Sequence, residues 1–109
     1  MEYTNLEKVN LKLSKLAIGT MSMPDDFNEA QNMIDFAFEK GINLLDTADL
    51  YEKGKIEALM GKALKGRRDD FLIASKVGNV WNSDGVSWHW DPSPKQIRKG
   101  LEMSLKRLK

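Results

Sequence analysis

Three short apolar runs, each followed by a stretch of helical period, set what this chain can fold into. The runs are "LAIGT" (16–20), "INLLD" (42–46) and "FLIASKV" (71–77). None alternates cleanly between apolar and polar residues, which fits strands covered on both faces. After the first run, "DDFNEAQNMIDFAFEKG" places Ala30, Met33, Ile34, Ala37 and Phe38 on one helical face, with Asp25 and Asp26 to cap its start and Gly41 to stop it. After the second, Ile56, Leu59, Met60, Ala63 and Leu64 repeat the spacing, and Gly66 supplies the stop. After the third comes a long loop and then "DPSPKQIRKGLEMSLKRLK". There Ser93 with Gln96 makes a capping box and Pro94 takes the first helical position. Ile97, Leu101, Leu105 and Leu108 form the apolar stripe expected to face the core, and Gly100 weakens the helix for no reason visible in the sequence. Ahead of all this, "EYTNLEKVNLKLS" reads as a small hairpin with its turn near Glu7 to Asn10. Strands alternating with helices imply an α/β fold with a parallel sheet and right-handed crossovers.

Composition narrows the function classes. The chain has 109 residues, enough for one domain, with no low-complexity segment and no interdomain linker. Charges balance to a formal +1, which gives no push toward nucleic acid or membrane. There is no cysteine, so disulfides, thiolate catalysis and Cys-ligated metals are excluded, and no metal site is expected. The N-terminus lacks the apolar core of a signal peptide, and no run approaches a membrane span, so a soluble, cytoplasmic protein is expected.

The segment 78–93, "GNVWNSDGVSWHWDPS", holds all three Trp and the only His. It reads as an ordered loop near a ligand. His89 reads as a loop residue that packs or hydrogen-bonds locally.

Parallel α/β folds bind ligands at the carboxyl ends of their strands. Asp46 ends the second run, Tyr51 lies just beyond it, and Lys76 lies near the end of the third. Asp46 and Lys76, on neighbouring strands, can pair. Taken alone that pair reads as a structural one at a barrel rim, and Tyr51 changes the reading. An adjacent ammonium stabilises a phenolate, so Asp, Lys and Tyr together form a tunable general acid. Such an acid protonates a carbonyl oxygen while something else attacks the carbon. With no nucleophile–base pair and no Gly-rich phosphate loop in the sequence, the natural complement is hydride from a nicotinamide cofactor.

These residues resemble the N-terminal part of the aldo-keto reductases, (β/α)8 barrels that reduce aldehydes and ketones with NADPH. The family has Gly-Thr ending strand one, Asp-Thr-Ala-x-x-Tyr after strand two and Lys after strand three. Here these are Gly19 and Thr20, Asp46 to Ala48 with Tyr51, and Lys76. The likeness runs from about Leu16 to the chain's last residue. It implies a partial (β/α)8 TIM barrel of about three βα units with an N-terminal hairpin, residues 1–109 forming one incomplete domain. By resemblance Tyr51 is the proton donor, Lys76 tunes it and Asp46 holds Lys76. Gly19, Thr20, Met21 and Asp46 lie against NADP(H), and Tyr51 and Trp81 meet a small carbonyl substrate. Two positions depart from the family pattern. Glu52 stands where Gly is frequent, and Ile56-Glu57 where Ser-Glu is frequent.

A barrel of this kind takes roughly 250 residues. The family's fourth catalytic residue, a His ending a fourth strand, is therefore expected outside this stretch, and His89 does not fill that place. The 109 residues alone are expected to be inactive and to self-associate through open sheet edges. The alternative expectation is a non-catalytic binding or regulatory module built on the same barrel.

Overall fold

The computed structural model describes all residues from Met1 to Lys109. Strands β1 (Tyr3–Leu6) and β2 (Leu11–Ser14) form the expected hairpin, with a 3-10 turn at Glu7–Val9 and Asn10 in the left-handed region. Then β3 (Ala17–Gly19), α1 (Phe27–Glu39), β4 (Leu44–Asp46), α2 (Lys55–Ala63) and β5 (Leu72–Ala74) follow in βα order. A short antiparallel ribbon, β6 (Asn79–Trp81) with β7 (Trp88–Trp90), precedes α3 (Pro94–Leu108). The central sheet is parallel in the order β3-β4-β5, as a partial (β/α)8 barrel requires. No helix is long and apolar enough to cross a membrane.

Register gives the sheet two different faces. Ile18, Leu45 and Ile73 share one row, which packs against the helices, and Leu45 is fully buried there. Because side chains alternate, the rows on either side of it point to the inner face. One of those rows is Gly19, Asp46 and Ala74 at the carboxyl ends of the strands. At the opposite end the hairpin is fastened to Asn43, whose side chain accepts from Ser14 N at 2.8 Å and donates to Lys12 O at 2.8 Å.

The helices differ in how far they follow the sequence. All five expected core residues of the second helical segment, Ile56, Leu59, Met60, Ala63 and Leu64, are buried. In α1, Ala30, Ile34 and Ala37 are buried and Met33 is half-buried, but Phe38 is 54% exposed. In α3 the expected stripe is turned outward: Ile97, Leu101 and Leu105 are 41%, 52% and 63% exposed, and only Leu108 is buried. The face that docks is Gly100, Ser104 and Leu108. Small residues let two backbones approach, and here closeness decides the contact. A Cβ on Gly100 would lie 3.1 Å from Val77 and 3.3 Å from the Asp49 carboxylate. One on Gly61 would collide with the Arg107 carbonyl oxygen. Close approach is the reason for the glycine that the sequence left unexplained.

The segment 78–93, expected as an ordered loop, is ordered as a short antiparallel hairpin of β6 and β7. Its turn carries Asp84 and Gly85, an Asp-Gly signal of the kind that marks hairpins. Asp84 accepts from the Ser87 hydroxyl at 2.6 Å and from the N–H groups of Val86 and Ser87, both at 2.9 Å. These bonds, the hydroxyl foremost, hold its carboxyl down at about 2. His89 Nδ1 meets Asn82 Oδ1 at 2.6 Å, the local bonding expected of it.

Two outcomes follow. Helix-interior Gly→Ala changes ordinarily gain about 0.5–1 kcal/mol. Gly61→Ala should instead destabilise by about 1–3 kcal/mol, the usual cost of overpacking, seen as a lower urea midpoint. The depressed Asp84 carboxyl favours the folded ribbon above its ordinary value near ~3.9, and that contribution is lost as pH falls through about 2. All three Trp belong to this ribbon, so their emission should show a step across that range. Asp84→Asn, which cannot titrate, should lack the step; matching acid curves for the two proteins would contradict the assignment.

Candidate active site

Alternation along two neighbouring strand ends builds the site. Asp46, last residue of β4, points to the inner face between Gly19 and Ala74. Neither neighbour has a large side chain, and a Cβ on Gly19 would meet nothing within 4 Å. The carboxylate is therefore half-exposed at an open mouth. Two residues beyond β5, Lys76 returns to the same face, and its Nζ lies 2.8 and 2.9 Å from the two Asp46 oxygens and 2.7 Å from Thr47 O. Burial opposes the Lys76 charge. The hydrogen bond and charge of Asp46, with a contribution from Tyr51, outweigh it and raise the ammonium above its ordinary value. Lys76 Nζ sits 5.6 Å from the centre of the Tyr51 ring.

Tyr51 opens a tight 3-10 turn, Tyr51–Gly54. Glu52 and Lys53 both occupy the left-handed region, with φ of 46° and 56°, and Gly54 follows at 85°. For residues with a Cβ that conformation costs roughly 1–2 kcal/mol each. It accounts for a Gly being favoured at the place Glu52 fills. The turn is braced by Trp81, whose Nε1 donates to Leu50 O at 3.1 Å, and Lys53 Nζ lies 5.3 Å over the Trp81 ring. The ribbon thus brings Trp81 to the turn that carries Tyr51.

The remaining expected site residues divide. Met21 is well exposed beyond the strand end. Thr20 is fully buried; its N–H and hydroxyl donate to Asp46 O at 3.0 and 3.1 Å, so its side chain braces β4 from beneath. Sequence reasoning passed over the Thr47 carbonyl as a partner of Lys76, since main-chain acceptors leave no mark on residue type. It also passed over Ser75, whose hydroxyl donates to Glu57 Oε1 at 2.7 Å on the helix side of the sheet. The alternation within "ASKV" carries that information.

The sequence profile of the Aldo/keto reductase family matches residues 15–109. YqkF of Bacillus subtilis, an uncharacterized oxidoreductase, is 41% identical over all of this chain and 36% of its own length. A probable voltage-gated potassium channel subunit beta of Arabidopsis thaliana is 35% identical over 99% of this chain and 34% of its own. Among solved structures, the aldo-keto reductase AKR11C1 of Bacillus halodurans in its holo form superposes with a TM-score of 0.89 at 44% identity, over 99% of this chain and 36% of that one. The chain spans about a third of the length of the relatives it matches. With a profile match over most of its residues and a parallel βα sheet that superposes on a member's barrel, the chain belongs to the aldo/keto reductase family.

Proposed function

We propose that this chain carries the proton-donating half of an NADP(H)-dependent carbonyl reductase, with activity residing in a barrel of the relatives' length. The observation that supports it best is the Lys76 ammonium, fixed on both Asp46 oxygens and set beside the Tyr51 ring. Such a half-exposed ion pair contributes only ~0–1 kcal/mol to stability. Three acceptors trained on one lysine at an open mouth fit a role in chemistry better than a role in holding the fold.

The residues present fit the cofactor. A Cβ on Gly19 would meet nothing within 4 Å, Asp46 is its half-exposed partner on the neighbouring strand, and Met21 is exposed two residues further on. Gly19, Met21 and Asp46 would hold NADP(H), which when bound supplies a hydride to the carbonyl carbon. Thr20, fully buried with its N–H and hydroxyl on Asp46 O, would act only by supporting Asp46. Tyr51 gives its hydroxyl proton to the carbonyl oxygen, Lys76 stabilises the phenolate left behind, and Asp46 keeps Lys76 charged and in place. Trp81, braced on the same turn, offers its ring to an aldehyde or ketone substrate.

A regulatory subunit without turnover is the second reading, favoured by the likeness to the Arabidopsis channel subunit. Tyr51→Phe separates the two. In the full-length protein it removes one oxygen and should lower carbonyl reduction by ~10²–10⁴, the usual worth of a positioned general acid, with cofactor affinity nearly unchanged. Full activity in the Phe variant would remove Tyr51 from the mechanism. A wild-type protein that binds NADPH and reduces no reactive aldehyde would favour the regulatory reading.

Residues 1–109 alone leave Leu16, Met21, Ile97, Leu101 and Leu105 exposed, with β3 and β5 as open sheet edges. Expressed by themselves they should self-associate and fail to oxidise NADPH with an aromatic aldehyde. Light scattering checks the first point: a dispersed monomer with a sharp melting transition would contradict it.

A further inference from the structure

Glu57 is the one charged residue that the structure buries completely. Its Oε2 accepts from Arg107 Nη1 at 2.9 Å and its Oε1 from the Ser75 hydroxyl at 2.7 Å, so one carboxylate ties together α2, α3 and the strand end beyond β5. Burying an ion pair costs about as much as the pair returns, so net stability is a weak reason for it. Its placement suggests another. Ser75 immediately precedes Lys76, and alternation sends their side chains to opposite faces of the sheet. Ser75 is held by Glu57 on the helix side, and Lys76 by Asp46 and Thr47 O on the inner side. Arg107, at the far end of the ion pair, presses its guanidinium on Gly54 so closely that a Cβ there would clash. Gly54 closes the turn that Tyr51 opens.

We propose that Glu57 and Arg107 are positioning residues that set Tyr51 and Lys76 relative to one another. Glu57 fixes the Lys76 strand through Ser75, and Arg107 fixes the Tyr51 turn through Gly54. This rests on the reading of Tyr51 and Lys76 given above. The charged group facing the pair from the loop after β4 is Asp49. Burial first, and then the Glu57 carboxylate, raise its carboxyl above the ordinary range, with Arg107 working against them. Asp49 N also donates to Lys76 O at 3.2 Å, a further tie between the two segments.

Ser75→Ala is the cleanest probe in the full-length protein, because Ser75 lies at the surface and its loss leaves the ion pair intact. It should lower kcat by about 10–100-fold through misalignment, with KM for NADPH nearly unchanged and the alkaline limb of the pH–kcat profile displaced. Ser75→Thr, which keeps the hydroxyl, should restore both. Glu57→Gln should behave as Ser75→Ala does. A readout free of turnover is the ¹³Cε resonance of Lys76 followed against pH without cofactor. In Ser75→Ala its titration should move down toward that of a free lysine. Wild-type kcat, pH profile and Lys76 titration in Ser75→Ala would overturn the proposal even if Glu57→Gln fails to fold. If Tyr51→Phe is inactive and Ser75→Ala is normal, the positioning role alone fails. If Tyr51→Phe is fully active, the catalytic reading fails, and the Lys76 titration still decides whether Glu57 acts on that lysine.

Discussion

Parallel pairing in register puts Gly19, Asp46 and Ala74 side by side, and the two-residue period of extended backbone does the rest. From that row onward, each step along the chain crosses the sheet. Asp46 faces in and buried Thr47 faces the helices; Ser75 faces the helices and Lys76 faces in. The small side chains beside Asp46 leave the mouth open. Slipping β5 by one residue against β4 would exchange the roles of Ser75 and Lys76, sending an ammonium into the helix layer and a hydroxyl into the mouth. Register is therefore the condition on which the ion pair at the mouth, the buried pair behind it and the Tyr51 turn between them all depend.

Neither ion pair can be accounted for by stability. Asp46 with Lys76 is half-exposed, in the regime where surface pairs add at most ~1 kcal/mol. Glu57 with Arg107 is buried, where desolvation cancels most of the attraction. What both supply is direction. A lysine has several rotatable bonds, and three acceptors around one Nζ remove most of its freedom. The strained turn at Glu52 and Lys53 belongs to the same economy of geometry, since it is sustained by packing from Trp81 on one side and Arg107 on the other.

The sequence made legible what depends on residue type at a fixed period. The βα order, the buried face of α2, the Ser93 cap of α3 and the pairing of Asp46 with Lys76 all followed from spacing and chemistry. What depends on two segments meeting did not. Asn43 looks like any polar residue before a strand until Ser14 and Lys12 are brought to it. Glu57 sits among apolar residues of a helix, and its partners lie 18 and 50 positions away. The Asp84–Gly85 turn is a local signal for a hairpin, while three Trp in one segment point only to an ordered loop near a ligand.

The reversed face of α3 has a simple physical origin. Periodicity finds the largest apolar stripe, and burial goes to whichever stripe has a neighbour. α2 packs against α1 on one side and α3 on the other, so its whole apolar face is covered. α3 buries only its narrow Gly100–Ser104–Leu108 ridge, with Gly100 against Val77 and Asp49 and the Arg107–Leu108 backbone against Gly61 of α2, and the broader stripe of Ile97, Leu101 and Leu105 is exposed. At the other end α1 likewise leaves Phe36 and Phe38 exposed. Gly61 on α2 lets the Arg107 backbone come close, and Gly100 lets α3 settle on Val77 and Asp49, an approach that leaves Arg107 within hydrogen-bonding distance of Glu57. A leucine at position 100 would push α3 away from Val77 and Asp49, and with it the guanidinium that braces the Tyr51 turn. Gly100 therefore trades about 1 kcal/mol of helix propensity for the close packing on which the buried ion pair relies.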